Sequence, residues 1–132
     1  MNLFAKAVAE VLEVDTVALD DDFRAFGGWC SLQGFGLLVM MENDFHAPVN
    51  VERFLELRTV RDLYREAFIA LAAEVFGGGR QVLSGETKRE ETPQWDSVNH
   101  LRLVMEAEKR FETSYSLEII PGLAKLDDFL ID

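Results

Sequence analysis

The apolar residues of this chain recur at the spacing of amphipathic helices. Between residues 2 and 13 they fall three and four positions apart, which places them on one face of a helix: Leu3, Phe4, Ala7, Val8, Val11 and Leu12. The same periodicity predicts two longer helices, at about 31–45 and 97–111, each preceded by a tryptophan. Shorter helices or turns are expected at 54–57 and 119–123, and final helices from Thr59 and Lys125.

The second half of the sequence repeats the pattern of the first half. When Trp29 is set on Trp95, an offset of 66 positions, the residues that follow coincide without a gap. The coinciding pairs include Ser31 with Ser97, Glu42 with Glu108, Phe45 with Phe111, and Asp62 with Asp128. We therefore predict two repeats, residues 1–66 with the motif WCSL and residues 67–132 with the motif WDSV.

No linker separates the two predicted repeats. The segment from Val60 to Phe76 contains no Gly or Pro and keeps helical spacing throughout. The last helix of the first repeat is therefore expected to continue into the first helix of the second. The predicted fold class is all-α.

Charge and cysteine content limit the classes of binding partner and the cellular location that we expect for this protein. Thirteen basic and twenty-four acidic residues give a formal charge of −11, which repels nucleic acid and anionic lipid and favours a basic patch on another protein. The single cysteine, Cys30, allows no disulfide within the chain and no cysteine-rich metal site. No stretch approaches the roughly 20 apolar residues that span a bilayer, so we expect a cytoplasmic protein without a membrane span.

The segment QWDSVNHLRLVMEAEKRF, residues 94–111, resembles the serine-bearing second helix of acyl carrier proteins. That helix opens with an Asp-Ser-Leu motif, and Val98 stands here where leucine is usual. The first half resembles the same segment around WCSL and, through Phe23, Gly27 and Gly28, the related peptidyl carriers. The apolar spacing after Phe111 also matches these families. The resemblance implies two small four-helix bundles in tandem.

The resemblance also implies a prosthetic group. In these carriers a separate transferase attaches 4'-phosphopantetheine to the motif serine, and the thiol of that arm holds an acyl chain as a thioester. Ser97 would be the attachment site, with Asp96 as the motif aspartate, and Ser31 is the second candidate. Asp96 is also predicted from its position to cap the helix that follows. Such a carrier is not itself an enzyme.

The partners implied by the family are enzymes that dock on the serine-bearing helix. These are the phosphopantetheinyl transferase and acyltransferase or ketosynthase-type enzymes of fatty-acid, polyketide or related biosynthesis. Their basic docking patches read acidic side chains on this helix. The corresponding residues here are Glu106, Glu108 and Glu112.

The first repeat departs from the motif. Cys30 replaces the aspartate, Gly34 and Gly36 lie within the predicted helix, and no acidic residue occurs between Ser31 and Met41. A thiol is a poor helix cap, and each glycine destabilises a helix by roughly 1 kcal/mol relative to alanine. Two alternatives stay open: Ser31 is a second attachment site, or the first repeat is only a structural partner.

Other chemistry is poorly supported by the sequence. Ser97 and His100 lie three residues apart, but nothing orients the histidine as a base, and His100 is expected to be an exposed helix residue. Histidines and carboxylates lack the spacing of a metal site. The main alternative function is an acidic helical adaptor with a carrier-like fold and no prosthetic group. A Ser97→Ala variant distinguishes the two, since only a carrier would lose thioester loading.

Overall fold

The computed structural model describes residues 2–77 and 82–131, and within these ranges it contains helices and no β-strand. The five α-helices are α1 (Leu3–Leu12), α2 (Ser31–Phe45), α3 (Val51–Glu56), α4 (Val60–Val75) and α5 (Ser97–Phe111). Three 3₁₀ turns complete the order: η1 (Arg89–Glu91) precedes α5, while η2 (Ile120–Gly122) and η3 (Leu126–Phe129) follow it. The all-α prediction is confirmed.

α2 and α5 have the boundaries that the sequence predicted, and each contains 15 residues. Both helices end on a residue in the left-handed conformation, His46 with φ 54° and Glu112 with φ 47°. A left-handed residue terminates a helix by turning the chain away while its N–H bonds a carbonyl of the last turn. The helices predicted at about 54–57 and from Thr59 are present as α3 and α4, whereas the final helix predicted from Lys125 is wrong, since only the four-residue 3₁₀ turn η3 forms there.

α4 is one continuous helix that crosses the predicted boundary between residues 66 and 67, as expected. It begins with a capping box, in which the Thr59 side chain accepts from the Asp62 N–H and the Asp62 carboxylate accepts from the Thr59 N–H. This arrangement satisfies donors that the first turn leaves free. Gly77 follows the helix with φ 92°, a conformation that favours glycine. The sequence predicts that the three glycines at 77–79 end this helix, and of these Gly78 and Gly79 lie outside the described residues.

Backbone hydrogen bonds recur at the same offset of 66 residues. Phe23 N–H donates to the Arg58 carbonyl, and Arg89 N–H donates to the Ala124 carbonyl. In the same way, the Val60 N–H donates to the Asp21 carbonyl, and the Leu126 N–H donates to the Thr87 carbonyl. The Arg61 N–H donates to the Leu19 carbonyl, and the Asp127 N–H donates to the Gly85 carbonyl. Each set fastens the loop before a 15-residue helix to the start of the last helix or turn of that half.

Buried side chains from both halves form one hydrophobic core. Phe111 of α5 lies at its centre, with ring-centroid distances of 6.3 Å to Phe4, 5.6 Å to Phe45 and 5.1 Å to Tyr64. The packing therefore does not by itself divide the chain into two bundles.

Helical spacing predicts that Phe45, Phe54, Phe111 and Ile120 lie on inward faces, and three of these four residues are buried. Phe45, Phe54 and Phe111 belong to the core, whereas Ile120 is half-buried and packs against it. The two tryptophans also differ, since Trp95 is buried and Trp29 is half-buried.

Candidate functional site

Ser31 and Ser97 are the first residues of α2 and α5, and both are exposed. The first N–H groups of a helix have no partner within the helix, and they give this end a partial positive charge. The positive end of the helix therefore suits a phosphate ester attached to an exposed hydroxyl at this position. The fold presents both candidate serines in the same way.

The residues that precede the two serines differ in the way the sequence predicted. The Asp96 carboxylate accepts a hydrogen bond from the Asn99 N–H at 2.9 Å and so caps α5. Cys30 occupies the capping position of α2 and makes no side-chain hydrogen bond there. Asp96 therefore has a structural role at the start of α5, and it lies beside Ser97 rather than behind a base.

The polar neighbour of Ser97 is a cation. Arg89 Nη2 lies 3.5 Å from Ser97 Oγ, a long hydrogen bond in which the guanidinium donates to the hydroxyl. Arg89 also lines a cavity of about 610 Å³ between η1 and the turns η2 and η3. The other lining residues are Lys88, Glu90, Trp95, Pro121, Leu123, Ala124, Lys125 and Asp128. The lining thus combines three basic and two acidic side chains with an apolar wall.

A different groove lies beside Ser31. It has a volume of about 570 Å³ and is lined mainly by apolar side chains, together with Cys30, Glu13 and Gln33. Its apolar wall includes Leu32 and Phe35, which are 76% and 65% exposed. The two serines thus share a position on their helices but have different neighbours.

His100 is buried, 3% exposed, and the expectation of an exposed helix histidine is wrong. Trp95 Nε1–H donates to His100 Nδ1 at 2.9 Å, and His100 Nε2 lies 2.8 Å from the Ile120 carbonyl oxygen. Because the indole can only donate, Nδ1 is the acceptor and Nε2 carries the proton. Burial lowers the pKa of His100, the Ile120 carbonyl opposes this, and the charge of Arg89 lowers it further. The imidazole is thus a neutral link between Trp95 and η2.

The three predicted recognition carboxylates have unequal surroundings. Glu106 is half-buried and Glu112 is exposed at the end of α5. Glu108 is half-buried, and one of its oxygens accepts from the Tyr115 N–H at 3.0 Å. Glu112 is therefore the most accessible of the three.

Both serine-bearing helices expose an apolar surface. The excess of apolar residues in the segment GFGLLVMM, residues 34–41, indicates this surface for α2, whereas sequence reasoning missed it on α5. Each serine-bearing helix exposes three apolar side chains at matching positions, Leu32, Phe35 and Val39 on α2 and Val98, Leu101 and Met105 on α5. All three pairs coincide at the offset of 66 residues, but matching apolar positions are by themselves equally typical of a core. The available signal is an excess of apolar residues over what one buried helix face accommodates.

Metal-binding clusters and membrane spans do not occur in the described part of the chain. Among residues 2–77 and 82–131, no three histidine, cysteine, aspartate or glutamate side chains are grouped so that they could hold a metal ion. Within the same ranges, no helix has the length and apolar character needed to cross a membrane.

The family model described as "phosphopantetheine attachment site" matches residues 2–67, which contain α1 to α3, the first half of α4 and Ser31. Comparison with curated proteins and with solved structures gave no match. Domains of this family carry a group and are not themselves catalytic. The match covers half of the chain, and it agrees with the exposed serine at the start of α2. The chain therefore belongs to the phosphopantetheine attachment family of carrier proteins.

Proposed function

We propose that this chain is an acyl carrier with two attachment positions, Ser97 and Ser31, for 4'-phosphopantetheine. The observation that carries the proposal is the pair of exposed serine hydroxyls at the first residues of two 15-residue helices, 66 positions apart. Ser31 lies within the matched family domain, and Ser97 follows the more complete motif, with Asp96 before it. The two helices also share their length and their left-handed termination.

The residues around Ser97 support a carrier rather than an enzyme. The polar side chain beside the Ser97 hydroxyl is the guanidinium of Arg89, which cannot accept a proton. A serine nucleophile in an enzyme requires a base at that position. A separate transferase must therefore activate the Ser97 hydroxyl. Once attached, the arm supplies a thiol on which an acyl group is held as a thioester.

The proposal includes two carrier repeats, residues 1–66 and 67–132, that share α4. The four features that support this division are the gap-free alignment, the equal lengths of α2 and α5, their left-handed ends and the backbone hydrogen bonds that recur at an offset of 66. The single core explains why both repeats stay together in one chain, because small bundles bury little apolar surface on their own.

The proposed partners are the phosphopantetheinyl transferase and acyltransferase or ketosynthase-type enzymes of fatty-acid, polyketide or related biosynthesis. The formal charge of −11 favours partners with basic docking patches. On α5, Glu106 and Glu112 would provide the charged contacts and Val98, Leu101 and Met105 the apolar ones. Glu108 would contribute less because it also binds the Tyr115 N–H.

The test is intact-protein mass spectrometry after co-expression with a promiscuous phosphopantetheinyl transferase. We expect the wild-type chain to gain two phosphopantetheine groups, Ser31→Ala and Ser97→Ala one each, and the double variant none. Circular dichroism of the variants checks that the fold is retained. A wild-type chain that gains no group would overturn the carrier proposal and favour the adaptor alternative. A wild-type chain that gains one group would contradict the assignment of the serine that stays free.

A further inference from the structure

We infer that the cavity beside Ser97 is a binding site for the phosphate-bearing arm carried by that serine, with Arg89 and Lys88 as its phosphate-binding residues. This inference rests on the proposed attachment at Ser97 and assigns a function to residues outside the serine motif. The cavity lies against η1, and we call it the η1 cavity.

The η1 cavity has surfaces that are complementary to the two parts of a phosphopantetheine arm, its chain and its phosphate. Trp95, Pro121, Leu123 and Ala124 supply apolar wall, and Lys88, Arg89 and Lys125 supply positive charge. Its volume of about 610 Å³ lies in the range of small-molecule sites, which run from about 300 to 1,000 Å³. Glu90 and Asp128 also line the cavity, so its three basic and two acidic side chains leave an excess of one positive charge. In a chain with a formal charge of −11, this local excess favours an anionic ligand.

Arg89 is placed to contact a phosphate on Ser97. Its Nη2 atom lies 3.5 Å from the oxygen that would carry the ester. Among the described residues, Arg89 and Lys88 form no salt bridge with a carboxylate, whereas Lys125 is paired with Glu86 at 3.3 Å. A planar guanidinium can donate two parallel hydrogen bonds to a phosphate, which makes Arg89 the main candidate for this contact.

The walls of the η1 cavity are held in place by the surrounding fold. The Arg89 N–H donates to the Ala124 carbonyl at 2.8 Å, so η1 is fastened to the segment before η3. His100 bonds both Trp95 and the Ile120 carbonyl, and Ile120 precedes the cavity residue Pro121. A cavity with fixed walls costs less entropy to fill than one that must form on binding.

In the first half, the corresponding space is occupied by side chains. The counterpart of Arg89 is Phe23, which is fully buried and packs at 5.7 Å from Trp29 and 5.5 Å from Phe54. The counterpart of Glu90 is Arg24, whose guanidinium lies over the Phe23 and Phe54 rings. Arg24 also donates to the Leu57 carbonyl and, at 2.9 Å, to the Phe54 carbonyl. The inferred site therefore belongs to Ser97 and not to Ser31.

A weak intrinsic affinity is sufficient for such a site. The arm on Ser97 would be tethered beside the cavity, where a short tether gives an effective concentration on the order of millimolar. The arm would then divide its time between the cavity and solvent, which leaves its thiol available to partner enzymes.

The test uses the full chain without a prosthetic group and records indole N–H signals by ¹H–¹⁵N NMR. Free 4'-phosphopantetheine is expected to shift the Trp95 signal and to leave the Trp29 signal unchanged. Pantetheine, which lacks the phosphate, should bind about tenfold more weakly, the factor that one charge-assisted hydrogen bond provides. Inorganic phosphate should also bind more weakly, because without the chain it makes no contact with the apolar wall of the cavity.

Variants then test the role of Arg89. Arg89→Gln should remove most of the difference between phosphopantetheine and pantetheine, with Lys88 keeping the remainder, and Arg89→Lys should restore part of what is lost. Arg102→Gln is the matched control, because Arg102 is exposed on α5 and bonds Asn99 instead of lining the cavity. Equal binding of phosphopantetheine and pantetheine to the wild-type chain, or equal binding of phosphopantetheine to Arg89→Gln and Arg102→Gln, would overturn the inference.

The attached arm provides the second readout. In a Ser31→Ala background, loading of Ser97 should shift the Trp95 indole signal, and Arg89→Gln should diminish that shift. Mass spectrometry of the same samples separates the two hypotheses. An unloaded Ser97 contradicts the proposed function, whereas a loaded Ser97 with an unchanged Trp95 signal contradicts only the η1 cavity inference.

Discussion

His100 shows how the fold fixes the protonation state of a single side chain. Its Nδ1 atom accepts from the Trp95 indole, so a second proton would place two donors against each other. Burial and the nearby Arg89 charge keep the folded-state pKa below the ordinary value of 6.5. In the unfolded chain the imidazole takes up its proton at that ordinary value. Between the two pKa values the unfolded state therefore binds more protons than the folded state.

This difference predicts that the free energy of unfolding decreases as the pH falls through 6.5 toward the lowered pKa of His100. The contribution of one proton cannot exceed about 1.4 kcal/mol per pH unit. Urea unfolding between pH 7.5 and 5.5 measures it.

His100→Gln should flatten the pH profile, because it removes the titrating imidazole. Equal slopes in the wild type and in His100→Gln would contradict the assignment of this pH dependence to His100.

The contact between η3 and α4 depends on a glycine, Gly85. Asp127 of η3 binds Arg65 of α4 with an Nε–Oδ1 distance of 2.6 Å, and its N–H donates to the Gly85 carbonyl at 3.0 Å. Gly85 is buried, and a Cβ atom there would overlap the Asp127 carboxylate and the Arg65 guanidinium. The glycine is therefore required by close approach and not by its backbone conformation.

Gly85→Ala is expected to lower the free energy of unfolding by about 1–3 kcal/mol, because the ion pair or the backbone must shift to admit the methyl group. Gly122→Ala is the matched control, since a Cβ atom at that position meets open space. Its effect should stay within about 0.5 kcal/mol. Chemical denaturation measures both, and similar effects of the two substitutions would show that the close approach at Gly85 has no energetic role.

The whole molecule is held together by a core to which both halves contribute. Phe111 joins α5 to α1 and α2 through Phe4 and Phe45, and to α4 through Tyr64 and Phe68. Polar contacts also link distant parts of the chain, since Asn2 Nδ2–H donates to the Ile131 carbonyl at 3.1 Å. Unfolding of one half would expose apolar surface of the other half, so we expect the two halves to unfold together.

Phe111→Ala should lower the free energy of unfolding by about 3–5 kcal/mol and should keep one cooperative transition. Met105→Ala, on the same helix but 66% exposed, should change it by no more than about 0.5 kcal/mol. Urea unfolding followed by circular dichroism and tryptophan fluorescence provides the measurement. Two separate transitions, of which Phe111→Ala shifts only one, would contradict a common core.

The sequence alone determined the helices and the candidate serines. Periodic apolar residues, the tryptophans and the lack of Gly or Pro from Val60 to Phe76 are local signals, and they predicted α2, α4 and α5 closely. The same offset of 66 residues brought Ser31 and Ser97 into corresponding positions, and both are exposed at helix starts. These features depend on residues within one or two helical turns, so a pattern in the chain is sufficient to predict them.

Only the tertiary structure decided which side chains are covered. Helical spacing alone did not show that His100 turns inward to Trp95 or that Phe35 and Leu101 remain exposed, because burial depends on what packs against a face. The η1 cavity likewise arises because Arg89 replaces a core phenylalanine, Phe23, of the first half. Such differences involve residues far apart in the chain, and their effect becomes visible only when those residues are brought together in space.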